Sequence, residues 1–116
     1  MPTYNKEFTK YDEGKVRLEL VPPRAIEGLG KVLTMGAEKY GANNWRKCED
    51  TERYMGAALR HINARRQGEL VDPESGLDHL FHAMTNLMFI TELTQELQED
   101  IAKELNMALF NKKSKK

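Results

Sequence analysis

The sequence predicts an all-α protein: a small helical bundle with an extended N-terminal arm, completed by oligomerisation. Three observations support this prediction. Apolar residues recur at helical spacing in three long stretches, Pro and Gly stand at the borders of those stretches, and strand-like alternation is confined to residues 16–20. The chain has 116 residues, which is enough for one domain with a modest core.

Composition and charge limit the kinds of partner and site that we expect for this protein. The 18 basic and 18 acidic residues give a formal net charge of zero. We therefore expect no bulk electrostatic affinity for nucleic acid or for an anionic membrane. No apolar run approaches the ~20 residues that cross a bilayer, and the first residues lack a hydrophobic signal region. The expected compartment is the cytoplasm. The lone Cys48 excludes an internal disulfide and a thiolate metal cluster.

Residues 1–21 are predicted to form an N-terminal arm or short strand. The Asp12-Glu13-Gly14 sequence is a turn signal, and apolar and charged residues alternate over 16–20. Lys15 and Arg17 would then project from the same side of the strand. They are either solvent-facing charges or a pair of cations for a phosphate group, and their spacing does not decide between the two.

A helical domain is predicted over residues 22–110. Its first helix covers about 22–40 and is followed by Gly41, which suits the left-handed residue that ends a helix. A second helix covers about 51–67 and is followed by Gly68. The loop between these helices holds the only tryptophan, in the sequence Asn43-Asn44-Trp45. This Trp is either a packing plug or a platform for a nucleobase whose edge the two amides would read.

The third helix is predicted to begin at Asp72-Pro73, where Asp can cap free N–H groups and Pro fits the first position. The residues predicted to form its buried stripe are Leu77, Leu80, Phe81, Met84, Leu87 and Met88. Glu74, Asp78 and His82 follow at i, i+4 and i+8 beside that stripe, with His79 close by. They form either a solvated face or a metal or catalytic site inside a bundle.

The helical pattern continues to Phe110. A helix over 73–110 would be roughly 57 Å long, which is too long for a compact monomer of this size. It either breaks after the mid-90s or packs on another subunit, and we favour a dimer or tetramer. The lysine-rich residues 111–116 are predicted to be disordered.

Several motifs in a fixed order carry a resemblance to a known family. They are Asp12-Glu-Gly-Lys15-Val-Arg17, Leu20-Val-Pro-Pro23, Thr34-Met-Gly-Ala-Glu-Lys39-Tyr40-Gly-Ala-Asn-Asn44-Trp45, Ala58-Leu-Arg60-His61, Asp72-Pro-Glu74-Ser-Gly76, and His79-Leu-Phe-His82-Ala83 with Asn86. The set resembles the small phage proteins called dATP/dGTP diphosphohydrolases, which are placed near the MazG-like all-α nucleoside triphosphate pyrophosphohydrolases. The resemblance covers roughly residues 10–93.

The resemblance implies an oligomeric, metal-dependent enzyme of phage nucleotide-pool metabolism, acting in the host cytoplasm if phage-encoded. It would hydrolyse purine deoxynucleoside triphosphates to a monophosphate and pyrophosphate with Mg²⁺, or alternatively Mn²⁺. The metal ligands expected from it are Glu38, Glu74 and Asp78. The expected catalytic residues are His79, His82 and His61, and the expected substrate-binding residues are Lys15, Arg17, Lys39, Asn43, Asn44, Trp45 and Arg60.

The acidic motif departs from the MazG-like pattern. Those enzymes carry Glu-x-x-Glu and Glu-x-x-Asp on two helices, whereas Glu74 and Asp78 are one residue further apart and the first helix has no Glu-x-x-Glu. An alternative prediction is therefore a catalytically inactive helical module that binds a nucleotide, a nucleic acid or another protein.

Overall fold

The computed structural model describes residues 9, 11 and 13–114, and this part of the chain contains three α-helices. Helix α1 spans Pro23–Tyr40, α2 spans Glu52–Arg66 and α3 spans His79–Ser114. Short 3₁₀ turns cover Leu18–Leu20 and Asn44–Lys47. The predicted all-α class is confirmed.

The ends of α1 and α2 follow the local signals in the sequence. Pro23 occupies the first position of α1, and Gly41 ends that helix with a φ of 93°. The N–H of Glu52 donates to Asp50 Oδ1 at 3.1 Å, so Asp50 supplies the side-chain cap of α2 and the adjacent Thr51 supplies none.

Residues 16–20 do not form the short strand that is one of the two alternatives predicted for residues 1–21. Leu18–Leu20 form a 3₁₀ turn in which the N–H of Leu20 donates to the carbonyl of Arg17 at 3.2 Å. A single extended segment is not stable without a neighbouring strand, and the described part of the chain offers it none. The remainder of the predicted arm, residues 1–8, 10 and 12, lies outside the described residues.

Helix α3 begins six residues later than predicted, at His79 instead of Pro73. The chain from 72 to 77 forms a turn, closed by a hydrogen bond from the N–H of Asp72 to the carbonyl of Leu77 at 2.8 Å. Gly76 adopts a φ of 74° within this turn. A left-handed residue cannot continue an α-helix, which is why the start signal at Asp72 does not lead into one.

Asp72 nevertheless accepts a backbone hydrogen bond, as the predicted helix cap would. Asp72 Oδ2 accepts the N–H of Ser75 at 3.0 Å and so stabilises the turn. Asp78 takes the capping role instead, because its Oδ1 accepts the N–H of Leu80 at 2.8 Å.

Helix α3 runs without a break for 36 residues, or about 54 Å. Residues 111–114, part of the tail predicted to be disordered, belong to this helix, and Lys115 and Lys116 lie outside the described residues. Lysines near a helix C-terminus complement the helix dipole. No helix in the described residues is both long enough and apolar enough to span a membrane.

Small residues mark the contacts of α3 with α1 and α2. Ala58 on α2 and Thr85 on α3 are fully buried, and Ala83 is nearly so. The predicted buried stripe is partly wrong, because Leu80 and Leu87 retain 39% and 40% exposure in the single chain. The neighbouring helices approach α3 at its small residues and leave these two leucines at the margin of the contact.

Gly28 provides a direct test of the α1–α3 contact. A Cβ at this position would lie 2.4 Å from two ring carbons of Phe81, whereas a Cβ at Gly36 would meet nothing within 4 Å. We expect Gly28→Ala to lower the free energy of unfolding by about 1–3 kcal/mol through overpacking. Gly36→Ala, the matched control, should raise it by up to ~1 kcal/mol. Urea denaturation measures both, and equal effects would contradict this packing.

Candidate functional site

A cleft of about 1640 Å³ opens between α1, the 3₁₀ turn at Asn44–Lys47, α2 and the first turns of α3. Eight of the predicted site residues line it: Lys39, Asn43, Asn44, Trp45, Arg60, His61, Glu74 and His82. The fold therefore brings together residues that are up to 43 positions apart in the sequence.

The three histidines of the chain lie together: His61 and His82 line this cleft, and the buried His79 contacts His61. His61 comes from the middle of α2, and His79 and His82 project from the first turn of α3 at i, i+3 spacing. The rings of His61 and His82 are stacked with centroids 4.6 Å apart and planes 10° apart. Nδ1 of His61 lies 2.8 Å from Nδ1 of His79.

Glu69 fixes the orientation of His79. The connection after α2 turns back so that the backbone N–H of His79 donates to the carbonyl of Leu70 at 3.1 Å. In the side chains, Glu69 Oε1 lies 2.7 Å from the ring nitrogen Nε2 of His79. A carboxylate can only accept, so His79 Nε2 is the donor. One hydrogen then lies between the two Nδ1 atoms of His61 and His79. His79 is 3% exposed, so its ring is shielded from water, whereas Glu69 is exposed at the outer end of this chain of hydrogen bonds.

Ser75 and Asp72 surround the third imidazole. Ser75 Oγ lies 2.6 Å from His82 Nε2, and Asp72 Oδ2 lies 3.8 Å from that same nitrogen. In a Ser-His-Asp triad the carboxylate orients the other ring nitrogen. This cluster is therefore not a nucleophilic triad, and its geometry suits proton transfer to or from a water or hydroxyl group.

The environment favours neutral imidazoles. Burial is the main cause that lowers the pKa of both His61 and His82. Neighbouring histidines lower the pKa of each ring further, and Asp72 opposes these effects. Burial raises the pKa of Asp72, but hydrogen bonds from Ser75 and the charges of His82 and His61 lower it, so the pKa of that carboxyl is lowered overall.

The predicted metal ligands Glu38, Glu74 and Asp78 are not brought together. Asp78 is held by Arg65, whose Nη1 lies 3.0 and 3.2 Å from its two carboxylate oxygens. Glu74 lies at the rim of the cleft with Oε1 3.6 Å from Lys39 Nζ. Glu38 is on another face of α1, where it lines a separate shallow groove.

The predicted phosphate-binding cations fall into two groups. Lys39 and Arg60 line the cleft, whereas Lys15 and Arg17 do not. Arg17 Nε donates to Glu19 Oε1 at 2.9 Å on the exposed arm.

Trp45 has contacts that fit the packing-plug interpretation. Its ring is stacked on Phe89 with centroids 4.8 Å apart, and the Arg46 guanidinium lies 4.4 Å from its centroid. The carbonyl of Trp45 accepts a hydrogen bond from Tyr54 at 2.8 Å. Asn43 also has a conformational role, because its φ of 63° is a left-handed value that Asn tolerates.

Sequence reasoning missed Glu69, Asp72 and Ser75 as site residues. The connection holding Glu69 has no periodic pattern, and Asp72 was interpreted only as a helix cap. Gly76 was the available signal: a glycine two residues before a second capping residue, Asp78, indicates a turn followed by a later helix start. A turn at that position brings the side chains of 72 and 75 back over the first turn of α3.

Comparison with known proteins identifies the family. The sequence model described as dATP/dGTP diphosphohydrolase, N-terminal, matches residues 5–104. The chain belongs to this family. A dATP/dGTP diphosphohydrolase of Salmonella phage PMBT28 is 41% identical over 81 residues, which are 70% of this chain and 28% of that relative. The chain thus matches under a third of the length of that family relative. No solved structure shows significant similarity to the chain.

The lowered pKa of His82 predicts a specific pH dependence of stability. Between its folded pKa and the ordinary value of 6.5, the unfolded chain binds more protons at this residue than the folded chain. The stability contribution is therefore complete above about pH 6.5 and is lost as the pH falls. We expect the free energy of unfolding to decrease from pH 7.5 to 5.5, and to decrease less in His82→Gln.

The measurement is chemical denaturation in EDTA across this pH range. Asp100→Asn, an exposed substitution on the distal part of α3, is the control and should keep the wild-type slope. His61, which stacks on His82, contributes in the same direction, so part of the slope should survive in His82→Gln. An unchanged slope in that variant would contradict a buried, neutral His82.

Proposed function

We propose that the protein hydrolyses dATP and dGTP to the monophosphate and pyrophosphate. The observation that supports this most is the cleft itself, which holds a neutral imidazole beside a hydroxyl and a carboxylate, with Lys39 and Arg60 on its walls. The family description and the name of the phage relative favour this reaction and this pair of substrates.

His82 is the proposed general base. Water attacks the α-phosphorus, the bond from that phosphorus to the bridging oxygen of pyrophosphate breaks, and the water proton passes to His82 Nε2, directly or through the Ser75 hydroxyl. Asp72, 3.8 Å from Nε2, would stabilise the imidazolium that forms. Lys39 and Arg60 would take up charge on the phosphates.

The charges around the cleft support dependence on a divalent cation. Five basic and six acidic side chains line it, so the protein alone does not neutralise a triphosphate. A divalent ion would screen the phosphates from these carboxylates. The predicted Mg²⁺ ligands do not converge, however, and no step is assigned to Mg²⁺ on Glu38, Glu74 or Asp78.

We also propose that the protein acts as a homo-oligomer on the deoxynucleotide pool of a phage-infected cell. Ile101, Leu105 and Leu109 recur every four residues on the distal part of α3 and are 47%, 61% and 58% exposed. A stripe at this spacing suits a second copy of the helix. The phage origin of the relative supports the metabolic setting.

A nucleotide-binding module without turnover is the second candidate. It is favoured by one observation: the chain matches only 28% of the phage relative, so the rest of such a protein could supply the catalytic groups. In that case the cleft would bind the nucleotide and leave the phosphate bonds intact.

Pyrophosphate release from each of the four deoxynucleoside triphosphates tests the proposal. We expect release from dATP and dGTP that stops in EDTA, and a decrease in kcat of about 10²–10⁴-fold in His82→Gln, the usual contribution of a general base. Asp100→Asn, an exposed acid far from the cleft in sequence, should stay close to the wild-type rate.

Two results would contradict parts of this proposal. Turnover that persists in His82→Gln at the wild-type rate would remove the proposed base. Absence of turnover, with dATP or dGTP binding detected by equilibrium dialysis, would establish the nucleotide-binding module in its place.

A further inference from the structure

We propose that His61, His79 and Asp72 bind one divalent transition-metal ion at the floor of the cleft, with Glu69 orienting His79. One ligand atom from each of the three residues lies within 4.8 Å of the others. This site shares no residue with the carboxylate set predicted from the sequence. It replaces an oxygen site for Mg²⁺ with a mixed nitrogen and oxygen site.

The spacing of the two imidazoles fits a shared ion. Two nitrogens bound at ~2.1 Å, with an angle of 90–109° at the ion, lie about 3.0–3.4 Å apart. Nδ1 of His61 and Nδ1 of His79 are 2.8 Å apart, and the ring centroids are 5.1 Å apart. A displacement of a few tenths of an ångström would let an ion replace the hydrogen between them.

The contact between Glu69 and His79 is typical of a metal-bound histidine. Such a histidine usually donates its second ring N–H to a carboxylate or carbonyl, which fixes the ring and the nitrogen offered to the metal. Glu69 Oε1 accepts from His79 Nε2 at 2.7 Å, which leaves Nδ1 facing His61. His79 is almost completely buried, so the protein has desolvated and oriented this imidazole in advance.

Asp72 supplies the third ligand from the opposite side. The N–H of Ser75 donates to its carboxylate and so positions it. Asp72 is partly buried and lines the cleft, as His61 does. Three protein ligands leave positions open on an ion that takes six. His61 and Asp72 line the cleft, so a water and the phosphate oxygens of a nucleotide could reach an ion held there.

The ligand set determines the class of ion. Imidazole nitrogen suits Mn²⁺, Fe²⁺, Co²⁺ and Zn²⁺, whereas Mg²⁺ prefers oxygen ligands and retains its water. Two histidines and one carboxylate thus favour a transition metal over Mg²⁺. The expectation that this ion also meets the triphosphate depends on the proposed function, but binding of the ion does not.

Titration of the metal-free protein with Co²⁺ tests the site in the absence of nucleotide. Calorimetry and the visible absorption of Co²⁺ measure affinity and stoichiometry. We expect one ion per chain, with at least 10-fold weaker binding in His61→Gln, His79→Gln and Asp72→Asn. Glu69→Gln should keep the stoichiometry and weaken the affinity by about 10–100-fold. Millimolar Mg²⁺ should not displace Co²⁺.

Two matched controls separate this site from general effects. His82→Gln removes the neighbouring imidazole, and Glu74→Gln removes another carboxylate of the same cleft; neither residue belongs to the ligand set, so both variants should retain one ion. Circular dichroism identifies any unfolded variant. If His79→Gln fails to fold, the less buried His61 and Asp72 decide the result.

The proposal is overturned if the wild-type chain binds no Co²⁺ at millimolar concentration, or if the three ligand variants bind as the wild type does. Loss of binding in both controls would also overturn it, because the cluster would then attract cations without defined ligands. Co²⁺ binding without pyrophosphate release would leave this site intact and contradict only the proposed hydrolysis. Pyrophosphate release with Mg²⁺ in a chain that binds no Co²⁺ would support the proposed hydrolysis and contradict this metal site.

Discussion

The structure depends on one chain of hydrogen bonds that runs from the exposed Glu69 through the buried His79 to the partly buried His61. It joins the connection after α2, the first residue of α3 and the middle of α2. Both ring nitrogens of the buried His79 have partners in it, which matters because an unpaired polar atom at this depth costs roughly 1–3 kcal/mol. The described residues contain no buried side-chain nitrogen or oxygen without a partner. Because few large side chains are fully buried in the single chain, this polar network is a principal specific link between α2 and α3.

The turn between α2 and α3 brings further polar side chains to these histidines. Gly76 can adopt a left-handed φ of 74°, and this lets the chain from 72 to 77 fold back before α3 begins. Asp72 and Ser75 consequently face His82 across the start of the helix. Had α3 begun at Pro73, residues 72 and 75 would have been fixed by helical spacing. The late start thus permits an acid, a hydroxyl and imidazoles to converge at one end of the cleft.

The sequence predicted the features that follow from local patterns. Helices α1 and α2 were placed to within a residue or two, because Pro23, Gly41 and Gly68 punctuate clear apolar periodicity. The three histidines, all predicted to be catalytic, lie next to one another in the structure, and their catalytic role stays a prediction. Glu69 and Asp72 were missed because their importance arises from the return of the chain, which no periodicity encodes. Glu74 and Asp78 were paired by helical spacing, which does not apply where the helix has not begun, and Glu38 on α1 was added from the resemblance alone.

The protonation of the three imidazoles is the most direct measure of this account. Nitrogen-15 correlation spectra of the metal-free protein at neutral pH report which ring nitrogens carry hydrogen. The account predicts that His79 carries a hydrogen on Nε2, protected from solvent by Glu69, and that one hydrogen is shared between Nδ1 of His79 and Nδ1 of His61. His61→Gln should abolish the signature of the shared hydrogen and leave the Nε2 hydrogen of His79 in place. A His79 ring with a bare Nε2, or three rings with rapidly exchanging hydrogens as in water, would contradict the central network.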